Sequence, residues 1–135
     1  MNKKILISLL YLLILASTAH AVLRVTDLRT EQLKNPLGID IRHPRLGWRI
    51  ESDEQNVMQT AYHILVASSP ELLAQGKGDC WDSGKVKTDA SQWITYQGKT
   101  LKCNASYYWK VKIDTNKGAT NWSAPAFWTT GLFNE

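Results

Sequence analysis

Asp79 and Asp82 stand three positions apart between Gly78 and Gly84, a spacing that could bring two carboxyls together for acid–base work. Glycoside hydrolysis uses such a pair, roughly 5–10 Å apart across the scissile bond. In a glycine-bounded loop and short edge strand, however, Asp is an ordinary turn residue. Nothing local would raise one carboxyl's pKa while lowering the other's. Catalysis by this pair is not expected. His43 precedes Pro44 in a loop, and His63 lies on the outward face of an alternating run between Tyr62 and Ile64. No Cys or carboxylate stands at ligand spacing from either, so both read as surface histidines. Ser68-Ser69 and Ser83-Gly84 lack a nucleophile elbow or a positioned His. Gly76-Lys77-Gly78 is too short to cradle phosphates. No catalytic, cofactor-binding or metal-binding residue is assigned.

The aromatic residues offer binding chemistry instead. Trp48, Trp109 and Tyr62 fall on inward faces of alternating runs and read as core. Trp81 and Trp93 lie in short, edge-like segments. There an exposed indole could stack on a sugar ring, although packing against the core or its rim is the expectation. Asn104-Ala105-Ser106 and Asn121-Trp122-Ser123 fit the N-glycosylation pattern, but so short a pattern is weak evidence and both read as ordinary surface asparagines.

These residues must be held by short strands. Tyr107, Trp109, Val111 and Ile113 alternate with Tyr108, Lys110, Lys112 and Asp114, a period of two that gives a strand one buried and one wet face. A turn at Asn116-Lys117-Gly118 leads to a second aromatic strand ending at Trp128, with Leu132 to Glu135 as its continuation. Upstream, strands are expected over Val25–Thr30, Arg45–Glu51, Thr60–Ser68, Trp81–Val86 and Gln92–Tyr96. A helical turn capped by Ser69 follows the third, with Pro70 at its first position. Seven short strands separated by turn signals predict an all-β, seven-stranded sandwich of immunoglobulin-like size. The Cys…Trp…Cys framework of true immunoglobulin domains is missing. Leu101 and Tyr107 suggest a tyrosine corner, in which the Tyr hydroxyl bonds backbone upstream of its strand. Cys80 opens an edge strand while Cys103 precedes a strand two places away. Two spacings of roughly 4.8 Å exceed the ~7 Å Cα limit for a disulfide, so two separate thiols are expected unless loop excursions close the gap.

The N-terminus reads as an export signal over residues 1–21. Lys3 and Lys4 form a positive n-region, Ile5 to Leu15 an apolar run, and Ala19-His20-Ala21 a small-x-small cleavage pattern. The apolar run is shorter than the roughly 20 residues a spanning helix needs, so no retained membrane segment is expected. The chain is expected to act outside the cytoplasm, in the periplasm or beyond the cell, as a single domain over residues 22–135. Without the leader, the 16 Lys and Arg fall to 14 against 12 Asp and Glu. So even a balance excludes the concentrated basic stripe that nucleic acid demands. All six Trp lie in the remaining part of the chain. Each buries roughly 150–250 Å², at most about 4–6 kcal/mol, so a core without metal or several disulfides is feasible.

Three blocks carry a family resemblance: Leu28-Arg29-Thr30-Glu31 with Asn35-Pro36-Leu37-Gly38-Ile39-Asp40; Pro44-Arg45-Leu46-Gly47-Trp48 with Gln59 through Ala67; and Trp81-Asp82-Ser83-Gly84-Lys85-Val86 with Tyr108-Trp109-Lys110-Val111 and Trp122 through Trp128. In this order the chain resembles the N-terminal fibronectin type III-like domain of bacterial α-L-rhamnosidases over Val25 to Phe133. The resemblance implies an exported glycoside hydrolase that removes terminal α-L-rhamnose with inversion. It places the acid and base in a downstream (α/α)₆ barrel, so no catalytic residue is carried over to this chain. It also implies a non-catalytic accessory role, with the downstream domains as partners and a rhamnose-containing carbohydrate as the candidate ligand. The alternative reading is a free-standing carbohydrate-binding or cell-surface adhesion module.

Overall fold

The computed structural model describes residues 22–134, so the expected leader at residues 1–21 lies outside the described residues. Eight strand segments and one short helix follow in order: β1 Leu23–Thr30, β2 Arg45–Ser52, β3 Gln59–Ala67, α1 Pro70–Ala74, β4 Trp81–Asp82, β5 Ile94–Thr95, β6 Ser106–Thr115, β7 Gly118–Ala119 and β8 Ala126–Thr129. They form two antiparallel sheets, β1-β2-β5 and β4-β3-β6-β7, with β8 also pairing β6. No helix among the described residues is long and apolar enough to cross a membrane.

The core fills the space between the sheets. Trp48 and Leu46 from β2 meet Ile64 and Val66 from β3 and Trp109, Val111 and Ile113 from β6, all buried. Edge-to-face rings tie the layers together, Trp48 on Tyr62 and Tyr96 on Trp128, while Tyr107 stacks on its cross-strand neighbour Trp128 at 5.5 Å within one sheet. The β6 alternation is read correctly from the sequence along its whole length. The tyrosine corner is also present. The Lys102 N–H donates to the Tyr107 hydroxyl at 2.8 Å, five residues upstream. Cys80 and Cys103 are separate thiols, as the strand order predicts.

The closing strand departs from expectation, because it is two segments and not one. After the Gly118–Ala119 pair, the Thr120 and Ser123 hydroxyls accept from the Ile113 and Val111 N–H groups at 3.0 and 3.1 Å. Side chains thus take the place of partner carbonyls until β8 resumes pairing at Ala126↔Trp109. Pro125 in this stretch has no N–H to give a ladder. Counted as one interrupted strand, β7 and β8 restore the seven-stranded sandwich. Of the expected continuation over Leu132–Glu135, residues 132–134 are not strand and Glu135 lies outside the described residues. Pairing with β6 ends at Thr129, and Thr130 instead bridges Ile39 in parallel.

A second, small core lies outside the sandwich. Leu65 and Ala67 on β3 are buried beneath α1 against Leu73, with Leu72, Tyr108 and Trp122 around them. The Ser69 side chain accepts from the Leu72 N–H and Pro70 occupies the first turn, which is why so short a helix holds its place.

Candidate functional site

The residues with chemical potential are already engaged in holding the fold. Asp79 accepts from the Ser68 N–H and hydroxyl, and Asp82 from the Gly84 N–H at 2.9 Å and His63 Nε2 at 2.6 Å. Burial pushes the Asp79 carboxyl up, but the Ser68 hydrogen bonds and nearby Lys99 outweigh it and leave the pKa lowered. The Gly84 N–H first, and then His63, lower the Asp82 carboxyl. Both carboxyls therefore move away from the raised pKa of a general acid. His63 sits against Trp122, ring centres 5.1 Å apart, and His43 reaches the Tyr96 carbonyl at 3.2 Å. Ser83 serves the β3–β4 edge, its hydroxyl accepting from the Ile64 N–H and its own N–H donating to the Ile64 carbonyl. Burial foremost, and then the charge of Asp79, pushes the Cys80 thiol pKa up, which withdraws it from nucleophilic use. Among the described residues no group of three or more His, Cys, Asp or Glu is placed to hold a metal.

Two surfaces remain. One is the end of the sandwich where residues 36–39 run beside residues 129–131. The Ile39 N–H donates to the Thr129 carbonyl, the Gly131 N–H to the Ile39 carbonyl, and the Gly38 N–H to the Thr129 hydroxyl. A Cβ on Gly131 would stand 3.0 Å from the Gly38 carbonyl, so glycine lets the two segments approach. This end leaves large apolar side chains in water: Leu37 is 75% exposed and Leu132 71%, with Ile41 close by in sequence. Arg42 lies 4.8 Å over the Phe133 ring.

The other surface is the outer face of the β1-β2-β5 sheet. Four arginines are paired there with three carboxylates: Arg24 with Glu51, Arg45 with Glu31, and both Arg29 and Arg49 with Asp27. Arg45 hydrogen-bonds Glu31 through its side chain and its own N–H, which lowers the Glu31 carboxyl pKa. Gly47 leaves room for the Gln92 side chain, which crosses the strand to donate to the Trp48 carbonyl at 2.6 Å. Beside it Trp93 is 55% exposed, with the Arg45 guanidinium 4.5 Å over its ring. The expected rim packing holds for Trp81, edge-on to Tyr96 at 5.4 Å, and fails for Trp93. The cause is backbone, for Trp93 takes φ +59°, which turns it out of the strand alternation. The arginine face was missed in the sequence because its members are scattered over Arg24 to Trp93. The run of Arg, Asp and Glu in β1 and β2 was its only visible trace.

Comparison with known proteins follows the sandwich. Residues 25–134 match the family model described as the Rha78A-like, N-terminal immunoglobulin domain. An α-L-rhamnosidase of Streptomyces avermitilis is 44% identical over 113 residues, covering 83% of this chain and 11% of the relative. One from Formosa agariphila is 41% identical over 102 residues, 75% of this chain and 11% of its own length. The solved α-L-rhamnosidase from Dictyoglumus thermophilum superposes with a TM-score of 0.79 at 38% identity, over 82% of this chain and 12% of that one. The chain thus spans about a ninth of the length of the relatives it matches.

Proposed function

Because this chain belongs to the family of Rha78A-like N-terminal immunoglobulin domains, we propose that it serves as the non-catalytic accessory domain of an exported α-L-rhamnosidase. One observation carries the reading: the match takes in the whole sandwich, yet only about 11% of each rhamnosidase. The hydrolysis of terminal α-L-rhamnose from a rhamnose-containing carbohydrate then belongs to domains downstream. Lys3, Lys4, the apolar Ile5–Leu15 run and Ala19-His20-Ala21 support export to the periplasm or the outside of the cell.

The role of the sandwich in such a protein is to hold and orient its neighbours. The apolar end formed by Leu37, Ile41 and Leu132 is the surface for this, since it sits where the chain leaves the last strand. A downstream domain tethered there meets the patch at high effective concentration, so a modest apolar contact suffices. Hydrogen exchange tests the assignment by comparing this chain alone with the longer protein that contains it. Amides of residues 36–41 and 130–133 slow at least tenfold in the longer protein if this end is covered. Equal rates in the two would place the contact elsewhere.

A further inference from the structure

Backbone strain is concentrated on one face of the molecule. Among the described residues, seven non-glycine residues take left-handed φ, and four of them are asparagines or aspartate (Asn35, Asn56, Asn104 and Asp27), types that tolerate it. The other three are Glu31, Gln32 and Trp93, and all three lie, with Asp27, on or beside the arginine face of the β1-β2-β5 sheet. Such conformations are strained and gather at ligand-binding sites. On this face is a cleft of about 170 Å³ lined by Asp27, Arg29, Gln32, Arg49 and Gln92, two of them left-handed. Trp93, next to Gln92 in the chain, lies under the Arg45 guanidinium of the same face.

We propose that this face binds an acidic sugar chain, with Trp93 as a stacking platform and the Arg29–Arg49 cleft as the seat of the sugar's carboxylate or sulfate. The inference does not depend on the docking role of the Leu37–Leu132 end, which is a different surface. Charge favours an anion. Four guanidiniums face three carboxylates, and Asp27 is shared between Arg29 at 3.0 Å and Arg49 at 3.3 Å. The Arg49 side chain is 75% exposed and is engaged through Nε, so its terminal N–H groups remain for a planar anion to bridge. Size favours a sugar ring. The cleft is smaller than the roughly 300–1,000 Å³ that encloses a drug-sized ligand, which leaves room for one small polar unit of a chain running along the sheet. From Arg45 to Glu51 the strand covers about 20 Å, long enough for several linked rings. Aromatic and amide groups interleaved with arginine also suit the alternating apolar and hydroxylated faces of a sugar better than a purely charged peptide. Arg45 occupies one face of the Trp93 indole and stiffens it, and the exposed remainder is the stacking surface.

The test is affinity electrophoresis of the whole chain through gels containing polygalacturonate, dextran sulfate, neutral dextran or polyglutamate. Retardation by polygalacturonate or dextran sulfate is expected, the stronger of the two identifying the anion, and it should weaken as salt is added. Trp93→Gly is the informative variant, because glycine adopts φ +59° freely and the fold is kept. Trp93→Gly and Arg49→Gln are each expected to weaken retardation at least fivefold. Lys110→Gln, on the other sheet, should leave it unchanged. The proposal is overturned if neither acidic polysaccharide retards the chain or if neutral dextran retards it equally. It is also overturned if polyglutamate retards it as strongly with no dependence on Trp93.

Discussion

The three fully buried tryptophans Trp48, Trp109 and Trp128 look interchangeable by burial and differ in one bond. The Trp48 indole N–H donates to Gln59 Oε1 at 3.0 Å, and Gln59 in turn donates to the Thr88 and Ala90 carbonyls at 3.1 and 2.8 Å. The indole N–H groups of Trp109 and Trp128 have no partner among the described residues. Replacement by Phe removes about 40 Å³ of side chain at each site. At about 24 cal/mol per Å³ the cavity costs about 1 kcal/mol, and lost apolar transfer adds about 1 more. Trp48→Phe also strands the Gln59 carbonyl in the core, a further cost of about 1–3 kcal/mol, for a total of about 3–5. Trp109→Phe and Trp128→Phe instead remove an unsatisfied buried donor. They recover about 1–3 kcal/mol and come out within about 1 kcal/mol of wild type. Urea unfolding followed by far-ultraviolet circular dichroism measures all three, with an unchanged slope as the check that only stability moved. With about 4 °C per kcal/mol for a domain of this size, the Trp48 variant should melt about 8–24 °C below the other two. If Trp128→Phe loses as much stability as Trp48→Phe, the reasoning from hydrogen-bond satisfaction fails and ring volume alone governs this core.

Three further outcomes follow from the geometry. Tyr107→Phe leaves the Lys102 N–H without its acceptor and should cost about 1–3 kcal/mol, read by the same urea titration. Thr120→Ala and Ser123→Ala remove the hydroxyls that stand in for a strand, so the Ile113 and Val111 amides should each exchange at least tenfold faster while β8 stays protected. For pH, the Glu31 carboxyl is lowered from its ordinary 4.5 by Arg45, so the unfolded chain takes up that proton first. Its contribution is present above about pH 4.5 and is lost as pH falls through the lower folded value. Melting measured from pH 6 to pH 3 should therefore decline less steeply in Glu31→Gln than in wild type.

What the sequence made legible was whatever obeyed a local period. The Tyr107–Ile113 alternation dictates which face of β6 is buried, and the Leu101–Tyr107 pair announces its own hydrogen bond. Features created by tertiary context were hidden. Leu65 and Ala67 fall on the face that alternation assigns to water, and the short helix folded over them, with Tyr108 and Trp122 beside it, buries that face. Gln59 reads as a polar strand end, yet it becomes the buried link between Trp48 and the 88–90 segment because two strands from different sheets converge on it. Trp93 could not be placed from its neighbours, since a left-handed residue reverses the side that alternation predicts. The arginine face depends on a β1 bulge between Thr26 and Arg29 that brings Arg29 opposite Gly47, and no pattern in the one-dimensional string marks that shift of register.

The central proposal is that this sandwich is an accessory part of a rhamnose-releasing enzyme. Antibodies raised against the described domain should be used to capture the native protein from the exported fraction of its source cells. The captured material is then sized and assayed on 4-nitrophenyl α-L-rhamnopyranoside. The account predicts a polypeptide several times longer than this chain that releases nitrophenol. A species no longer than this chain, with rhamnosidase activity remaining in the uncaptured fraction, would contradict it.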